Sequence, residues 1–211
     1  MGSIINFMED IGKLINKEHS NLNKHMSKNP LQKFLIKNYY NYLLEIIKRE
    51  NPKNILDVGC GEGFTLDLLR KNKIGKKIIG IDNSKESIRI GKILFPKVKI
   101  NHASIYDIPF PNNSFDLVIC TEVLEHLKTP TLAIEEVKRV SRGNILISVP
   151  NEPFFMLGNF LRGKNMDKLG NDPEHINHWT IFSFASFLKK QGLKIISVKF
   201  PFPWILIFCK K

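Results

Sequence analysis

Short runs of valine, isoleucine and leucine alternate with helical segments over most of the chain beyond Pro52. The runs are nearly continuous, which is typical of strands that are buried on both faces in a parallel sheet. Strands separated by helices indicate an α/β fold in which helices cover both faces of that sheet. The predicted strands lie at 54–58, 77–81, 98–100, 115–120, 144–149, 193–199 and 203–209.

The N-terminal fifty residues carry a different pattern. Apolar residues recur at helical spacing over 4–17 and over 31–50, which predicts two amphipathic helices with a polar stretch between them. Pro52 ends the second helix, because the residue before a proline avoids the helical conformation. We interpret residues 1–50 as a helical cap and residues 51–211 as the α/β domain. Peripheral membrane contact by the first helix is left open as an alternative.

The segment 150–179 interrupts the alternation of strands and helices. It contains six prolines and glycines, several aromatic residues and two histidines. A segment of this length between regular elements is more often a functional loop than a passive connector. We therefore predict a substrate loop or lid here, followed by a last helix that Thr180 caps and that ends at Gly192.

The first predicted strand runs into a glycine-rich turn with the sequence DVGCGEG at 57–63. Glycine has no Cβ and tolerates positive φ, so Gly59 and Gly61 allow a ligand to approach the backbone closely. In an open parallel sheet, such a turn at the carboxyl end of the first strand marks the ligand crevice. The dinucleotide fingerprint needs a glycine where the chain has Phe64, and the Gly-Lys-Ser/Thr of a phosphate-binding loop is absent from the sequence.

Two carboxylates border this turn and define the ligand further. Asp57 lies inside the turn, where it suits a cationic ligand better than a pyrophosphate. Asp82 follows the second predicted strand, where a carboxylate can accept hydrogen bonds from both hydroxyl groups of a ribose. A ribose without a nearby phosphate, together with a positive sulfonium and an amino group, describes S-adenosylmethionine.

Four segments resemble the motifs of one known family. The sequence ILDVGCGEG at 55–63 is similar to the first motif of class I S-adenosylmethionine-dependent methyltransferases, and GIDNS at 80–84 resembles their ribose-binding motif. FPNNSFDLV at 110–118 and EVLEHL at 122–127 resemble later motifs of the type 11 subgroup. The resemblance implies a Rossmann-like, doubly wound sheet of seven strands, mostly parallel with an antiparallel last strand, which agrees with the two closing strands.

The resemblance also implies which residues contact S-adenosylmethionine, whose product is S-adenosylhomocysteine. Asp57 would orient the amino-acid end of the cofactor, and Asp82 would hold the ribose. Ser104 stands where this family more usually has an aspartate near the adenine. The implied cofactor residues besides the two aspartates are Gly59, Cys60, Gly61, Asn83, Ser104, Ile105, Thr121 and Glu122.

Methyl transfer is an in-line displacement at a carbon already activated by the sulfonium. The protein has to align the nucleophile, exclude water and, for a hydroxyl acceptor, remove a proton. Histidine suits that last task, and His175 and His178 lie in the predicted substrate loop as candidates. His126 follows the fourth strand, where we expect a structural role. Glu174 with the two loop histidines forms one short cluster without a convincing set of metal ligands, so we expect no metal.

Composition places limits on the class of protein. Three scattered cysteines without a Cys-x-x-Cys pair disfavour structural zinc and a disulfide framework, and they favour a reducing cytoplasm. The longest apolar run is too short for a transmembrane segment, and we see no basic and apolar pattern of a secretory signal. The net charge of +12 comes from lysines spread along the chain rather than from a basic block.

We therefore expect a methyltransferase that acts on an oxygen, nitrogen or carbon centre of a small-molecule substrate. One alternative is an RNA or protein methyltransferase that uses the basic surface for nucleic acid or an acidic partner. Against it, CTEV at 120–123 occupies the place of an Asn/Asp-Pro-Pro-Tyr/Phe motif. An alternative of another class is a non-catalytic protein that binds the cofactor or acts as a scaffold. The sequence leaves the oligomeric state open.

Overall fold

Seven strands form one sheet in the part of the chain that the computed structural model describes, residues 20–161 and 169–211. The strands are β1 (Asn54–Val58), β2 (Lys77–Asp82), β3 (Ile100–His102), β4 (Phe115–Thr121), β5 (Ser141–Pro150), β6 (Lys194–Lys199) and β7 (Trp204–Lys210). Their order across the sheet is β3-β2-β1-β4-β5-β7-β6. Strands β1 to β5 are parallel, and β7 runs antiparallel to both of its neighbours. The predicted Rossmann-like sheet with an antiparallel last strand is confirmed.

Three of the described helices begin at a residue whose side chain caps them. Asn29 accepts hydrogen bonds from the first turn of the long N-terminal helix, and Ser84 caps the helix after β2 as predicted. Thr180 and Ser183 form a capping box at the last helix. The described helices are α1 (Ser20–Met26), α2 (Pro30–Glu50), α3 (Phe64–Lys71), α4 (Lys85–Leu94), α5 (Pro130–Val140), α6 (Glu152–Leu161) and α7 (Ile181–Lys190), with a 3-10 turn at Leu124–His126.

Adjacent residues of β1 pack on opposite faces of the sheet. Ile55 lies in a buried cluster with Leu43 of α2 and with β7 residues. Leu56 lies in the other buried cluster, with Ile134 of α5 and Phe184 of α7. The near-continuous apolar strands are therefore covered by helices on both sides, as a parallel sheet requires. This leaves the carboxyl ends of β1, β2 and β4 together at one edge, at the point where the strand order reverses.

Some predicted boundaries were wrong. The third strand was expected at 98–100, whereas β3 covers Ile100–His102. The pairing of β3 with β2 begins where Gly80 is aligned with Ile100 and continues into the polar Asn101. A strand at the edge of a sheet can contain such polar residues, so the apolar pattern did not indicate them. The segment 150–179 contains the helix α6 as well as irregular backbone.

At the N-terminus, the helix predicted over 31–50 corresponds to α2, and the polar stretch before it contains α1. The helix expected over 4–17 lies outside the described residues. No helix in the described ranges is both long enough and apolar enough to cross a membrane.

Candidate active site

The glycine-rich turn after β1 adopts a left-handed backbone at its three glycines. Gly59, Gly61 and Gly63 have φ of 72°, 53° and 87°. The amides of Gly59 and Cys60 both donate to the carbonyl of Ile81 in β2, at 2.8 and 3.1 Å. A Cβ on Gly59 would lie 2.4 Å from Cγ2 of Val123. The turn therefore requires glycine at this position for its conformation and for the space beside it.

Asp82 at the end of β2 holds this turn in place. Its Oδ2 accepts a hydrogen bond from the amide of Gly61 at 2.7 Å, and its Oδ1 accepts one from the amide of Ser84 at 2.7 Å. An ionised carboxylate offers about four lone-pair sites, so both oxygens can still accept a hydrogen bond from a ligand hydroxyl. Asp82 thus stabilises the turn and can also accept hydrogen bonds from a ligand.

Asp57 is a buried carboxylate behind the turn. Burial and, to a lesser extent, the negative charge of Asp82 together raise the pKa of Asp57 to about 8. A cationic group beside Asp57 would reverse this shift, because an opposite charge favours the ionised carboxylate. The arrangement suits a positively charged ligand.

We expect the free energy of unfolding to fall by more than about 1 kcal/mol between about pH 5 and pH 8 because of Asp57. Its folded-state pKa lies above its unfolded value, so its contribution is fully present below about pH 4 and is lost as the pH rises through about 8. Asp57→Asn is expected to flatten this slope in chemical denaturation, whereas Asp107→Asn, at an exposed carboxylate, is expected to keep it. An equal slope in both variants would contradict the assignment.

A cavity of about 220 Å³ opens at the carboxyl ends of β1, β2 and β4. Half of the cofactor residues that the sequence predicts line this cavity, namely Gly59, Asp82, Asn83, Ile105 and Glu122. The remaining lining residues lie outside the set of cofactor contacts that the sequence predicts. These are Ile81, Ala103, Val123, His126 and Leu127.

The other predicted cofactor residues lie around the cavity without lining it. Gly61 supplies the amide that Asp82 accepts, and the hydroxyl of Ser104 accepts from the amide of Tyr106 at 3.1 Å. Burial raises the pKa of the Cys60 thiol well above its usual range, so this cysteine acts as a small apolar residue. The predicted residues outside the lining are Asp57, Cys60, Gly61, Ser104 and Thr121.

Glu122, directly after β4, joins the cavity to distant parts of the chain. Its backbone is left-handed, with a φ of 58°. One carboxylate oxygen accepts a hydrogen bond from the indole N–H of Trp204, and the other accepts one from the hydroxyl of Ser148 at 3.4 Å. The Nζ of Lys24 lies 3.5 Å from the first of these oxygens. Glu122 is therefore a carboxylate whose position is fixed from three directions.

The helix α1 lies over this side of the site. The Nζ of Lys24 is 4.6 Å above the Trp204 ring as well as close to Glu122. The ring of His25 stacks on Phe64, the first residue of α3, at 4.0 Å between centroids. Burial lowers the pKa of His25 to about 3, with the charge of Lys24 adding to the effect. His25 is thus a neutral packing residue, and α1 is attached to the wall of the cavity.

The three histidines differ in their position relative to the cavity. His126, which we expected to be a structural residue near the site, lines the cavity, whereas the loop candidates His175 and His178 are not among its lining residues. The Nδ1 of His175 lies 2.6 Å from Oε1 of Glu152, and His178 lies 3.8 Å from the other oxygen of the same carboxylate. Burial alone would lower the pKa of His175, but the hydrogen bond and charge of Glu152 outweigh it and raise the pKa. The EVLEHL motif after β4 was the signal that placed His126 near the site.

Comparison with known proteins identifies the family to which this fold and cavity correspond. A family model described as a methyltransferase domain matches residues 30–198. Among solved structures, an S-adenosylmethionine-dependent methyltransferase from Mesorhizobium loti is similar with a TM-score of 0.63 at 14% identity, over 82% of this chain and 98% of that one. At this identity the likeness concerns the fold.

Curated relatives match about half of the chain. A probable S-adenosylmethionine-dependent methyltransferase of Mycolicibacterium smegmatis is 32% identical over 50% of this chain and 41% of its own length. A small RNA 2'-O-methyltransferase of Rattus norvegicus is 28% identical over 57% of this chain and 35% of its own length. An ajmaline N-methyltransferase of Rauvolfia serpentina is 35% identical over 47% and 36%. The chain spans about two fifths of the length of the first of these relatives.

Proposed function

Because the chain belongs to the methyltransferase-domain family, we propose that it transfers a methyl group from S-adenosylmethionine to a small-molecule acceptor at an oxygen, nitrogen or carbon centre. The observation that carries the proposal is the cavity at the switch point of the sheet, with Gly59 on one wall and the carboxylates of Asp82 and Glu122 on others. This is where an open α/β sheet binds a nucleotide-like ligand.

The cofactor fits the chemistry of the cavity walls. Asp82 accepts hydrogen bonds from the ribose hydroxyls, with Asn83 beside it. Ile105 offers an apolar surface to the adenine, since its side chain is almost wholly buried next to the cavity. Glu122 supplies negative charge for the amino group and the sulfonium, and a cation bound beside it would favour the ionised form of the buried Asp57 as well. Gly59 lets the backbone approach the methionine portion closely.

An acceptor of another class is supported by two observations. The net charge is +12, and a relative from Rattus norvegicus is a small RNA 2'-O-methyltransferase. The relative from Rauvolfia serpentina, by contrast, is an ajmaline N-methyltransferase. The small-molecule acceptor is favoured because the lysines are spread along the chain rather than gathered into a basic block.

The direct test of the function is consumption of S-adenosylmethionine. The full chain is incubated with the cofactor in three parallel reactions, which contain a metabolite extract, total RNA or no acceptor. S-adenosylhomocysteine is quantified in each reaction. We expect turnover with the metabolite extract, followed by identification of the methylated product by mass spectrometry. Turnover with RNA alone, falling steeply with salt, would replace the small-molecule acceptor by RNA. Calorimetry that detects no cofactor binding would overturn the proposal.

For the chemical step, His178 stays our candidate for a general base in the substrate loop. Its side chain is 44% exposed, so an acceptor can reach it. His175 is buried and hydrogen-bonded to Glu152, which suits a residue that positions other groups.

We further propose that the N-terminal residues 1–50 cap the bound cofactor. The contacts of α1 that support this are the ion pair of Lys24 with Glu122 and the packing of His25 on Phe64. Both contacts are made beside the cavity, so a bound ligand would lie between the sheet edge and the cap.

Lys24→Met is expected to weaken the affinity for S-adenosylhomocysteine about fivefold, since a partly exposed ion pair contributes roughly 1 kcal/mol. Deleting residues 1–29 is expected to weaken it further, because α1 is removed as a whole. The matched control is Lys28→Met, at an exposed lysine outside α1. Calorimetry that gives the same affinity for the deletion variant and the full chain would contradict the proposal that the N-terminal residues cap the cofactor.

A further inference from the structure

Glu125 is a carboxylate that the methyltransferase site described above does not use. It lies in the 3-10 turn after β4, and its exposed fraction is 0%. Neither of its carboxylate oxygens has a hydrogen-bond partner among the described residues. A buried charged group is costly unless it is paired with an opposite charge or coordinates a metal. The side chain is thus placed for a positive group that residues 20–161 and 169–211 do not supply.

Two histidines complete a cluster around this carboxylate. Glu125, His126 and His175 each offer one ligand atom, and these atoms lie within 4.8 Å of one another. The rings of the two histidines are in edge contact, with their centroids 5.0 Å apart. The cluster joins the turn after β4 to the segment that follows α6, so it depends on the tertiary fold.

Each histidine is held through one ring nitrogen. The Nδ1 of His126 lies 3.0 Å from the carbonyl oxygen of Glu174, and the Nδ1 of His175 lies 2.6 Å from Oε1 of Glu152. When Nδ1–H donates to such an acceptor, Nε2 keeps a free lone pair. Metal-binding histidines are typically fixed in this way, by a carbonyl or a carboxylate on the nitrogen that does not bind the metal.

We propose that Glu125, His126 and His175 bind a divalent transition-metal ion. One carboxylate and two imidazoles suit Mn²⁺, Co²⁺ or Zn²⁺, whereas Mg²⁺ and Ca²⁺ prefer sites made of oxygen ligands alone. Three protein ligands leave coordination positions open, as in catalytic metal sites. Glu122 is outside the set, because Trp204, Ser148 and Lys24 occupy its oxygens. The proposal replaces the sequence expectation of no metal.

The location of the cluster indicates a catalytic role for the ion, which rests on the proposed methyltransferase function. His126 lines the cofactor cavity. An ion bound to His126 therefore lies at the wall of this cavity, where the open coordination positions of the ion face an acceptor. The acceptor class is then a hydroxyl compound. Binding to the metal lowers the pKa of the hydroxyl, whose proton passes to the proposed general base His178. The oxygen forms a bond to the methyl carbon while the carbon–sulfur bond breaks, and its electron pair stays on the sulfur of S-adenosylhomocysteine.

The test measures metal binding by the untagged full chain in the absence of cofactor and acceptor. Calorimetry with Mn²⁺, Co²⁺ and Zn²⁺, one at a time, is expected to show one bound ion. Glu125→Gln and His126→Asn are each expected to weaken this binding at least about tenfold, and Glu152→Gln about tenfold through its hold on His175. The matched control is Glu135→Gln, at an exposed carboxylate of α5.

Thermal unfolding keeps the test independent of folding defects. His126 is exposed, so its replacement is not expected to unfold the protein. Mn²⁺ is expected to raise the Tm of the natural chain and of Glu135→Gln but to leave that of Glu125→Gln and His126→Asn unchanged. The site is overturned when no ion binds, or when both variants bind as the natural chain does. Metal binding without methyl transfer keeps the site and defeats the function, whereas methyl transfer without any metal binding keeps the function and defeats the site.

Discussion

Asp82→Ala is expected to weaken the binding of S-adenosylmethionine at least about 100-fold, since a hydrogen bond to a charged group contributes about 1.5–3 kcal/mol and we propose two of them between Asp82 and the ribose. The loss has a second source in the protein itself. The same carboxylate accepts the amides of Gly61 and Ser84, so its removal also releases the turn that approaches the cofactor. Calorimetry with S-adenosylhomocysteine, which cannot react, measures the affinity directly.

The two sources can be separated with a modified ligand. An S-adenosylhomocysteine analogue without the ribose 2'-hydroxyl is expected to bind the natural chain more weakly and to bind Asp82→Ala no worse than the complete ligand. Such non-additivity is the signature of a direct contact. Asp107→Asn, at an exposed carboxylate, is expected to retain the full affinity for both ligands. Near-native affinity of Asp82→Ala, or additive losses, would contradict the ribose assignment.

The sheet could be predicted because its information is local. Each buried strand is a run of apolar residues with a length suited to a strand, and each cap is a side chain beside the amides that it satisfies, as Ser84 is. The edge strand β3 was placed two residues early because its last residues are polar and gain their strand conformation from pairing with β2. Pattern reasoning has no access to that pairing.

Only those site residues that lie within the sequence motifs could be predicted from the sequence. Asp82 and Gly59 lie within a few residues of a strand end, so the topology alone brings them to the cavity. Trp204 reaches Glu122 across 82 positions of sequence, and His126 reaches the carbonyl of Glu174 across 48. Contacts of this kind are set by how β7 and the segment after α6 pack against the turn that follows β4. For this reason the sequence indicates a pairing of His175 with the neighbouring His178, whereas the fold brings His175 to Glu125.

Gly59→Ala is expected to lower stability by about 1–3 kcal/mol, because the new methyl group overpacks a filled site and alanine is strained at positive φ. Its Cβ would lie 2.4 Å from Cγ2 of Val123, and the residue would have to keep a φ of 72°. The backbone must therefore shift, and the amides that now donate to Ile81 shift with it. We expect a Tm lower by roughly 2–12 °C and an affinity for S-adenosylhomocysteine weaker by at least about 100-fold.

Two variants test this steric explanation. Gly143→Ala adds a methyl group at the start of β5 with no atom within 4 Å of the new Cβ, so its Tm and affinity are expected to be unchanged. Val123→Ala combined with Gly59→Ala removes the atoms that the new methyl group meets. The double variant is expected to recover part of the Tm and affinity, while the strain of the left-handed backbone persists. Wild-type affinity in Gly59→Ala alone would mean that the ligand does not approach the backbone at this turn.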